Sequence, residues 1–372
     1  MLDVLHVQLA LAVLAVVWAD EVPAANLSCS RGIRCESDVT NAYGSFSYRI
    51  FVLGNVRQYS DGPRPDYIFT PIFKTLLHGL RSRGKECGYM TGFVDKAKLR
   101  QLNASNGDVV VFVSYIGATD FERSCRKNGS LGSRGVYCIF YSTEFELKTG
   151  ATYSRVAESG NFCEVWEYTR ANRPHRQDQS VRYIPPGFMP VKEGPERNDA
   201  RVQKASHSFN INNMTLFFDG QWTPARRQCW EHLQDVPYFR HFRQHFGVFN
   251  DDAWEQLVLK GSNVFVNLHR ERNFTKEQKP LETFRVARFL SLGGVVLTDE
   301  VNSKDAELYD GMILIEPKLC HDHSLWSPIV RELFTNDVKL RIWKANAYKA
   351  FKATFMPHKV LADAGVWGGL SV

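Results

Sequence analysis

The alternation of apolar and polar segments is clearest between residues 262 and 300. A short apolar, β-branched run at 263–266 predicts a buried strand, and the polar residues 269–279 predict a loop. Residues 281–292 then predict a helix, and the apolar run 295–298 predicts a second buried strand. Strand, loop, helix and strand form one right-handed βαβ unit of a parallel sheet. Ligands bind outside the carboxyl ends of such strands, so we expect a site at the loop 269–279 and the start of the helix.

Similar patterns continue on both sides of this unit. Upstream, apolar residues recur at helical spacing over 66–83, and buried strands are predicted at 46–53, 107–116 and 135–142. Alternation of strands with helices predicts an α/β layer there too. Residues 191–213 are polar and lack apolar periodicity, which is typical of a linker.

The length of 372 residues, 44% of them apolar, favours two domains. We predict the following segments: a signal peptide at 1–19, a first Rossmann-like domain at 20–190, a linker at 191–213, a second Rossmann-like domain at 214–327, and C-terminal helices at 328–372 that can cross back to the first domain.

Three stretches resemble the GT-B glycosyltransferases. Residues 263–300 resemble the half that binds the nucleotide sugar. Residues 216–233, LFFDGQWTPARRQCWEHL, resemble the first strand, loop and helix of that half. Residues 163–172 and 181–190 resemble the end of the acceptor domain. The resemblance covers about the C-terminal two-thirds of the chain and implies an α/β fold of two Rossmann-like domains that face each other across a cleft. It also implies transfer of a sugar from a nucleotide-sugar donor to a glycan, protein or lipid.

One family motif is not intact in this chain. Many retaining members carry two glutamates eight positions apart on the helix that precedes the glycine. Here Arg288 and Pro280 stand at the corresponding positions, and Glu282 is the only acid on the helix. This departure leaves open an alternative function, in which the chain is a catalytically inactive transferase-fold protein that binds carbohydrate.

Arg226 and Arg227 are the candidates for binding the donor's diphosphate. They fall near the start of the helix after the strand 214–218. Because the helix dipole disfavours a cation at that end, two arginines there favour an anionic ligand. The alternative is that both are surface residues paired with Glu231 or Asp235.

Four other residues are candidates for donor binding. Asn267 and His269 follow the strand 263–266 at its carboxyl end, where they can bind sugar hydroxyls or phosphate. Glu282 and Arg285 lie one turn apart on the next helix, where a carboxylate suits a hydroxyl and a guanidinium suits a phosphate. The alternatives are a packed histidine and an acid that only complements the helix dipole.

An inverting transfer requires a base for the acceptor hydroxyl. Glu144 follows the strand 135–142 in a Ser-Thr-Glu context that resembles related transferases, and it is the first candidate. Asp120, after the strand 107–116, is the second. Either carboxylate can instead be a helix cap or a loop residue.

We expect neither a metal nor a cofactor, because the nucleotide sugar is a co-substrate. Asp251 and Asp252 stand where a helix cap belongs and do not form the Asp-x-Asp motif of GT-A enzymes. His321 and His323 could bind a cation, but no third ligand is evident.

Several features predict the secretory pathway, in the lumen of the endoplasmic reticulum or Golgi or outside the cell. The uninterrupted apolar run 9–19 suits a signal peptide, and the alternative is an uncleaved Golgi-type anchor that would hold the chain at a membrane. Five glycosylation sequons begin at Asn26, Asn103, Asn128, Asn213 and Asn273.

The eight cysteines suggest disulfides, with Cys29–Cys35 and Cys125–Cys138 as suspected pairs, although some can be free buried thiols. The net charge of +6 suits anionic ligands such as nucleotide diphosphates. Acidic residues are interleaved throughout, so nucleic acid is not an expected partner.

Overall fold

A computed structural model describes residues 49–59, 62–65, 69–81, 88–94, 102–106, 108–114, 123–126, 128–143, 164–171, 181–189, 195–245, 251–269 and 275–366. It contains two largely parallel sheets with helices packed on them. This arrangement of two Rossmann-like lobes confirms the predicted α/β fold class.

The first sheet has the order β2-β1-β4-β5-β6-β7, and β3 also pairs with β1. Its strands are β1 (Arg49–Tyr59), β2 (Gly62–Pro65), β3 (Gly88–Val94), β4 (Val109–Ser114), β5 (Tyr137–Ser142), β6 (Glu164–Glu167) and β7 (Val181–Tyr183). All neighbours are parallel except β2, which pairs antiparallel with the end of β1. Parallel strands are buried on both faces, in agreement with the continuous apolar runs of β4 and β5.

The second sheet has the order β12-β11-β10-β8-β9, and all of its pairs are parallel. Its strands are β8 (Thr215–Asp219), β9 (His241–His245), β10 (Asn263–Asn267), β11 (Val295–Thr298) and β12 (Leu314–Ile315). Chain order runs outward in opposite directions from β8 and β10. The crevice between these two strands is therefore the topological switch point of the sheet, where ligands of such folds bind.

Helices cover both sheets and connect them. They are α1 (Thr70–Arg81), α2 (Pro195–Ser208), α3 (Pro224–Gln234), α4 (Asp251–Lys260), α5 (Thr283–Ser291), α6 (Ser303–Leu308), α7 (Pro328–Thr335), α8 (Asp337–Thr354) and α9 (Pro357–Asp363). None of the helices among the described residues is long and apolar enough to cross a membrane.

The second sheet buries a different apolar cluster on each face, because successive side chains of a strand point to opposite sides. On one face, Phe217 and Phe265 pack against Phe289 of α5, in a cluster that continues into the first lobe. On the other face, Leu216 and Phe218 join the cluster that contains the apolar side of α3. Helices α3 and α5 therefore lie on opposite faces of the sheet.

The chain returns to the first lobe at its end. Phe188, after β7, donates its main-chain N–H to the carbonyl of Phe355, after α8, at 2.7 Å. Helix α9 then packs against α1, where Gly79 approaches Leu361. A Cβ at Gly79 would lie 2.9 Å from the carbonyl oxygen of Pro357, so glycine permits the close contact of the two helices.

Two predicted elements differ from the observed ones, and one observed strand has no predicted counterpart. The helix predicted at 281–292 begins at Thr283, because the N–H of Leu281 is bonded to the carboxylate of Asp305 rather than to a helical turn. The segment 191–213 contains the helix α2, whose Val202 and Ala205 are buried. Strand β9 was not predicted, since its sequence, HFRQH, is mostly polar and β9 forms an edge of the sheet.

Two disulfides lie within the described residues. Cys125–Cys138 confirms the suspected pair in the first lobe. Cys229–Cys320 joins α3 to the loop after β12 and closes a separation of 91 residues, which the spacing of the cysteines did not reveal. The other suspected pair, Cys29–Cys35, lies outside the described residues.

Candidate functional site

The carboxyl ends of β8, β10 and β11 meet at one edge of the second sheet. Gly220 to Thr223 follow β8, Leu268 and His269 follow β10, and Asp299 and Glu300 follow β11. Because parallel strands end at the same edge, segments far apart in the sequence converge there. The start of α5 lies at the same edge.

Arg226 bridges the switch point between β8 and β10. Its Nη1 donates to the carbonyl of Gln221 at 3.0 Å, and its Nε donates to the carbonyl of Leu268 at 2.8 Å. Its guanidinium also lies over the ring of Phe218, with 5.4 Å between Cζ and the ring centroid. The side chain is 1% exposed. These contacts give Arg226 a positioning role, holding the two strand ends at a fixed separation.

Glu282 supplies the negative charge for Arg226. Its Oε1 lies 2.5 Å from Nη2 of Arg226, and its Oε2 pairs with Nη1 of Arg285 one turn further along. Glu282 is the N-cap residue of α5, so its carboxylate also lies near the positive end of the helix dipole. The structure thus brings together the predicted residues Arg226, Glu282 and Arg285.

Arg227 lies apart from this group. It is exposed on α3, whereas the neighbouring Arg226 is buried, because adjacent residues of a helix point in directions about 100° apart. Donor binding by Arg227 stays a prediction, and the two arginines do not share one surface.

A hollow of about 350 Å³ opens at the same edge, on the side of α3. Its wall on α3 is Ala225, Gln228, Cys229 and His232, which recur at helical spacing. The opposite wall comes from the ends of β10, β11 and β12 and from the loop before α5. These residues are Leu268, His269, Lys279, Asp299, Pro317, Cys320 and His321.

His269 is the buried polar residue of this hollow, at 8% exposed. Its Nε2 lies 3.0 Å from Oδ1 of Asp299 and 2.9 Å from the carbonyl oxygen of Glu300. Asn267 does not line the hollow. Its Nδ2 donates to Oγ1 of Thr298 at 3.0 Å, which links the ends of β10 and β11.

Sequence reasoning missed Lys279 and Asp299. Nζ of Lys279 lies 3.3 Å from Oε2 of Glu300, and both lysine and glutamate remain partly exposed. Asp299 places its carboxylate against the ring of His269, with Oδ1 3.0 Å from Nε2. Their positions before a helix and directly after a buried strand are the signals that could have identified them.

A second polar cluster joins the two lobes. The buried carboxylate of Asp305 accepts hydrogen bonds from Oγ1 of Thr169 at 2.8 Å and from the main-chain N–H of Arg170 at 3.2 Å, both in the first lobe. It also accepts from Nδ2 of Asn302 at 2.6 Å and from the N–H of Leu281 at 3.3 Å. Burial raises the pKa of Asp305, and these hydrogen bonds oppose that rise.

The roles predicted for some residues stay predictions. Glu144 and Asp120, the candidate bases, lie outside the described residues. Asp251 and Asp252 lie in the first turn of α4. Among the residues that the structure describes, no group of three His, Cys, Asp or Glu side chains is arranged to hold a metal ion.

Comparison with solved structures identifies the architecture. Two crystal structures of Anabaena Alr3699/HepE, one in complex with UDP and one with UDP and glucose, match 85% of this chain and 98% of their own. Their TM-scores are 0.50 and 0.52, at 9% sequence identity in each case. This chain has the GT-B fold. No protein-family model matches the sequence, and no curated protein sequence matches it. At this identity, the GT-B likeness concerns the fold of the chain.

Proposed function

We propose that this GT-B chain is a glycosyltransferase that takes its sugar from a nucleotide-sugar donor. The observation that carries the proposal is the hollow at the carboxyl edge of the second sheet, beside the switch point, in a fold shared with a protein that was crystallised with UDP and with glucose. Its volume of about 350 Å³ lies within the range of small-molecule sites.

The residues around the hollow suit a donor of this class. Lys279 is a partly exposed cation that can bind the diphosphate, and the start of α5 adds partial positive charge at the same edge. His269 and Gln228 offer groups for hydroxyls of the ribose or the sugar. Arg226 and Glu282 do not line the hollow, and their ion pair holds the ends of β8 and β10 in place.

The reaction places a glycan, protein or lipid acceptor against the first lobe. Loss of the nucleoside diphosphate leaves negative charge on the diphosphate oxygens, which Lys279 stabilises. Glu144 or Asp120 is the proposed base for the acceptor hydroxyl if the reaction inverts configuration. We propose that this reaction is metal-independent, with cationic side chains neutralising the leaving group.

We also propose that the protein works in the secretory pathway or is secreted. Disulfides persist in oxidising compartments, and the pairs Cys125–Cys138 and Cys229–Cys320 support this proposal. The sequons and the apolar run 9–19 support it as well.

An activity assay with a panel of UDP- and GDP-sugars tests the function. The full chain is incubated with each donor, with and without a mixture of glycan acceptors and with a chelator present, and the released nucleoside diphosphate is measured. We expect release from at least one donor, faster with acceptor. Glycan binding without any release would favour the inactive, carbohydrate-binding alternative.

A further inference from the structure

The imidazole of His269 is held by the residues directly after β11. Its Nε2 lies 2.9 Å from the carbonyl oxygen of Glu300 and 3.0 Å from Oδ1 of Asp299. Both partners follow a buried parallel strand, and His269 itself follows the neighbouring strand. The ring is therefore fixed by the sheet.

These contacts determine which ring nitrogen carries the hydrogen. A carbonyl oxygen only accepts hydrogen bonds, so the contact with Glu300 requires a hydrogen on Nε2 of His269. Oδ1 of Asp299 lies 3.0 Å from the same nitrogen, and its negative charge favours a hydrogen there over a lone pair. In the neutral imidazole, Nδ1 then carries no hydrogen and is a hydrogen-bond acceptor.

The charge around the ring favours a neutral partner over an anion. The carboxylate of Asp299 lies within 3.0 Å of the imidazole and would repel a phosphate placed there. Lys279 lines the same hollow and is the better group for the diphosphate. A hydroxyl donates a hydrogen bond without adding charge, and it suits an acceptor nitrogen on a buried ring.

We propose that His269 is a specificity-determining residue, which accepts at Nδ1 a hydrogen bond from a hydroxyl group of the nucleotide sugar. Asp299 is its positioning residue. This inference rests on the proposed function and adds to it a separate binding role for each of two residues in the hollow. Lys279 binds the diphosphate, and His269 selects for the hydroxyl.

Two measurements test the inference. Nitrogen-15 chemical shifts of the His269 ring, recorded on the free protein above neutral pH, report the tautomer without any ligand. Calorimetry then compares UDP with 2′-deoxy-UDP and 3′-deoxy-UDP, GDP with its matching deoxy analogues, and UDP-glucose with its deoxyglucose analogues. The deoxynucleotides report a ribose hydroxyl, and the deoxyglucose analogues report a sugar hydroxyl.

We expect the Nε2–H tautomer and a preference of about three- to tenfold for one hydroxyl-bearing ligand over its deoxy analogue. In His269→Phe this preference falls to about one, while the affinity for the deoxy analogue is retained. Asp299→Asn, which keeps the histidine, reduces the preference as well, and it remains informative if His269→Phe fails to fold. His323→Ala, on a turn beside the hollow but outside its lining, leaves the preference unchanged.

These experiments distinguish failure of the inference from failure of the proposed function. Binding of a nucleotide with an unchanged hydroxyl preference in both His269→Phe and Asp299→Asn overturns the inference and leaves the proposed function standing. A hydrogen on Nδ1 in place of Nε2 overturns it independently of any ligand. The absence of binding by every nucleotide to the wild-type protein overturns the proposed function and this inference together.

Discussion

Nη2 of Arg226 lies 2.5 Å from Oε1 of Glu282, and this ion pair joins helices on opposite faces of the second sheet. Helix α3 packs on one face and α5 on the other. The pair crosses the sheet edge where β8 and β10 end. Both residues lie at the edge where we propose that the donor binds, but their charges pair with each other and stabilise the conformation of that edge.

Substitution of Glu282 by Gln should destabilise the protein by about 3 kcal/mol, because it removes the carboxylate charge that is paired with the buried guanidinium of Arg226. Urea denaturation measures the free energy of unfolding. Glu231→Gln is the matched control, since Glu231 is an exposed acid on α3. If both variants unfold at the same urea concentration, the ion pair contributes nothing to stability.

Substitution of Lys279 by Ala should weaken binding of the donor about 10- to 100-fold, the usual effect of losing a hydrogen bond to a charged group. Calorimetric titration with the donor found in the activity assay measures the change. Lys276→Ala, an exposed lysine one turn earlier, should bind as the wild type does. Equal affinity of the Lys279→Ala variant would place the diphosphate elsewhere.

The link between the lobes predicts the effect of Asp305→Asn. The amide group of Asn keeps one oxygen but has an NH2 group in place of the other. Because both oxygens of Asp305 accept hydrogen bonds, at least one buried donor would be left unsatisfied. We expect a loss of about 3 kcal/mol in the free energy of unfolding. We also expect faster hydrogen exchange at the main-chain N–H of Arg170, because this N–H donates a hydrogen bond to Asp305 in the wild type.

The control for this variant is Asp310→Asn, which changes an exposed acid just after α6. Unchanged exchange at Arg170 in the Asp305→Asn variant would show that this carboxylate does not hold the lobes together.

Lys344 on α8 predicts a dependence of stability on pH. Burial lowers the pKa of Lys344 from 10.5 to about 8. The unfolded chain therefore holds this proton more tightly than the folded protein between pH 8 and 10.5, and unfolding takes up a proton in that window. The contribution of Lys344 to the free energy of unfolding should therefore rise with pH across this window, by up to about 3 kcal/mol.

Comparison of wild type with Lys344→Met isolates this contribution from other titrating groups. Urea denaturation at the two ends of the window should show a smaller gain with pH for the variant than for the wild type. The exposed residue Lys349 on the same helix provides the control Lys349→Met. The same gain in all three proteins would show that folding does not lower the pKa of Lys344.

Much of the second sheet follows from local sequence. The runs at 263–266 and 295–298 are short, apolar and bounded by polar segments, so their strands and the edge at which they end could be predicted. That edge brings Glu282 and His269 into one region, as expected from the parallel arrangement. The helix between the strands could be predicted as well, apart from its first turn.

Contacts between distant segments could not be predicted. Leu281 is kept out of the helix by Asp305, and Asp305 also binds Thr169 of the other lobe. Cys229 meets Cys320 across 91 residues. The burial of Arg226 depends on Leu268 and Gln221 at two strand ends. Each of these depends on tertiary packing, which no local pattern of a single sequence records.

The most direct test of the central claim is hydrogen–deuterium exchange of the full chain with and without UDP- and GDP-sugars. We predict that at least one of them slows exchange at residues 268–269, 279–285, 299–300 and 317–321, which line the hollow or lie beside it. Protection confined to other parts of the chain, or no protection by any nucleotide sugar at saturating concentration, would contradict the proposed donor site.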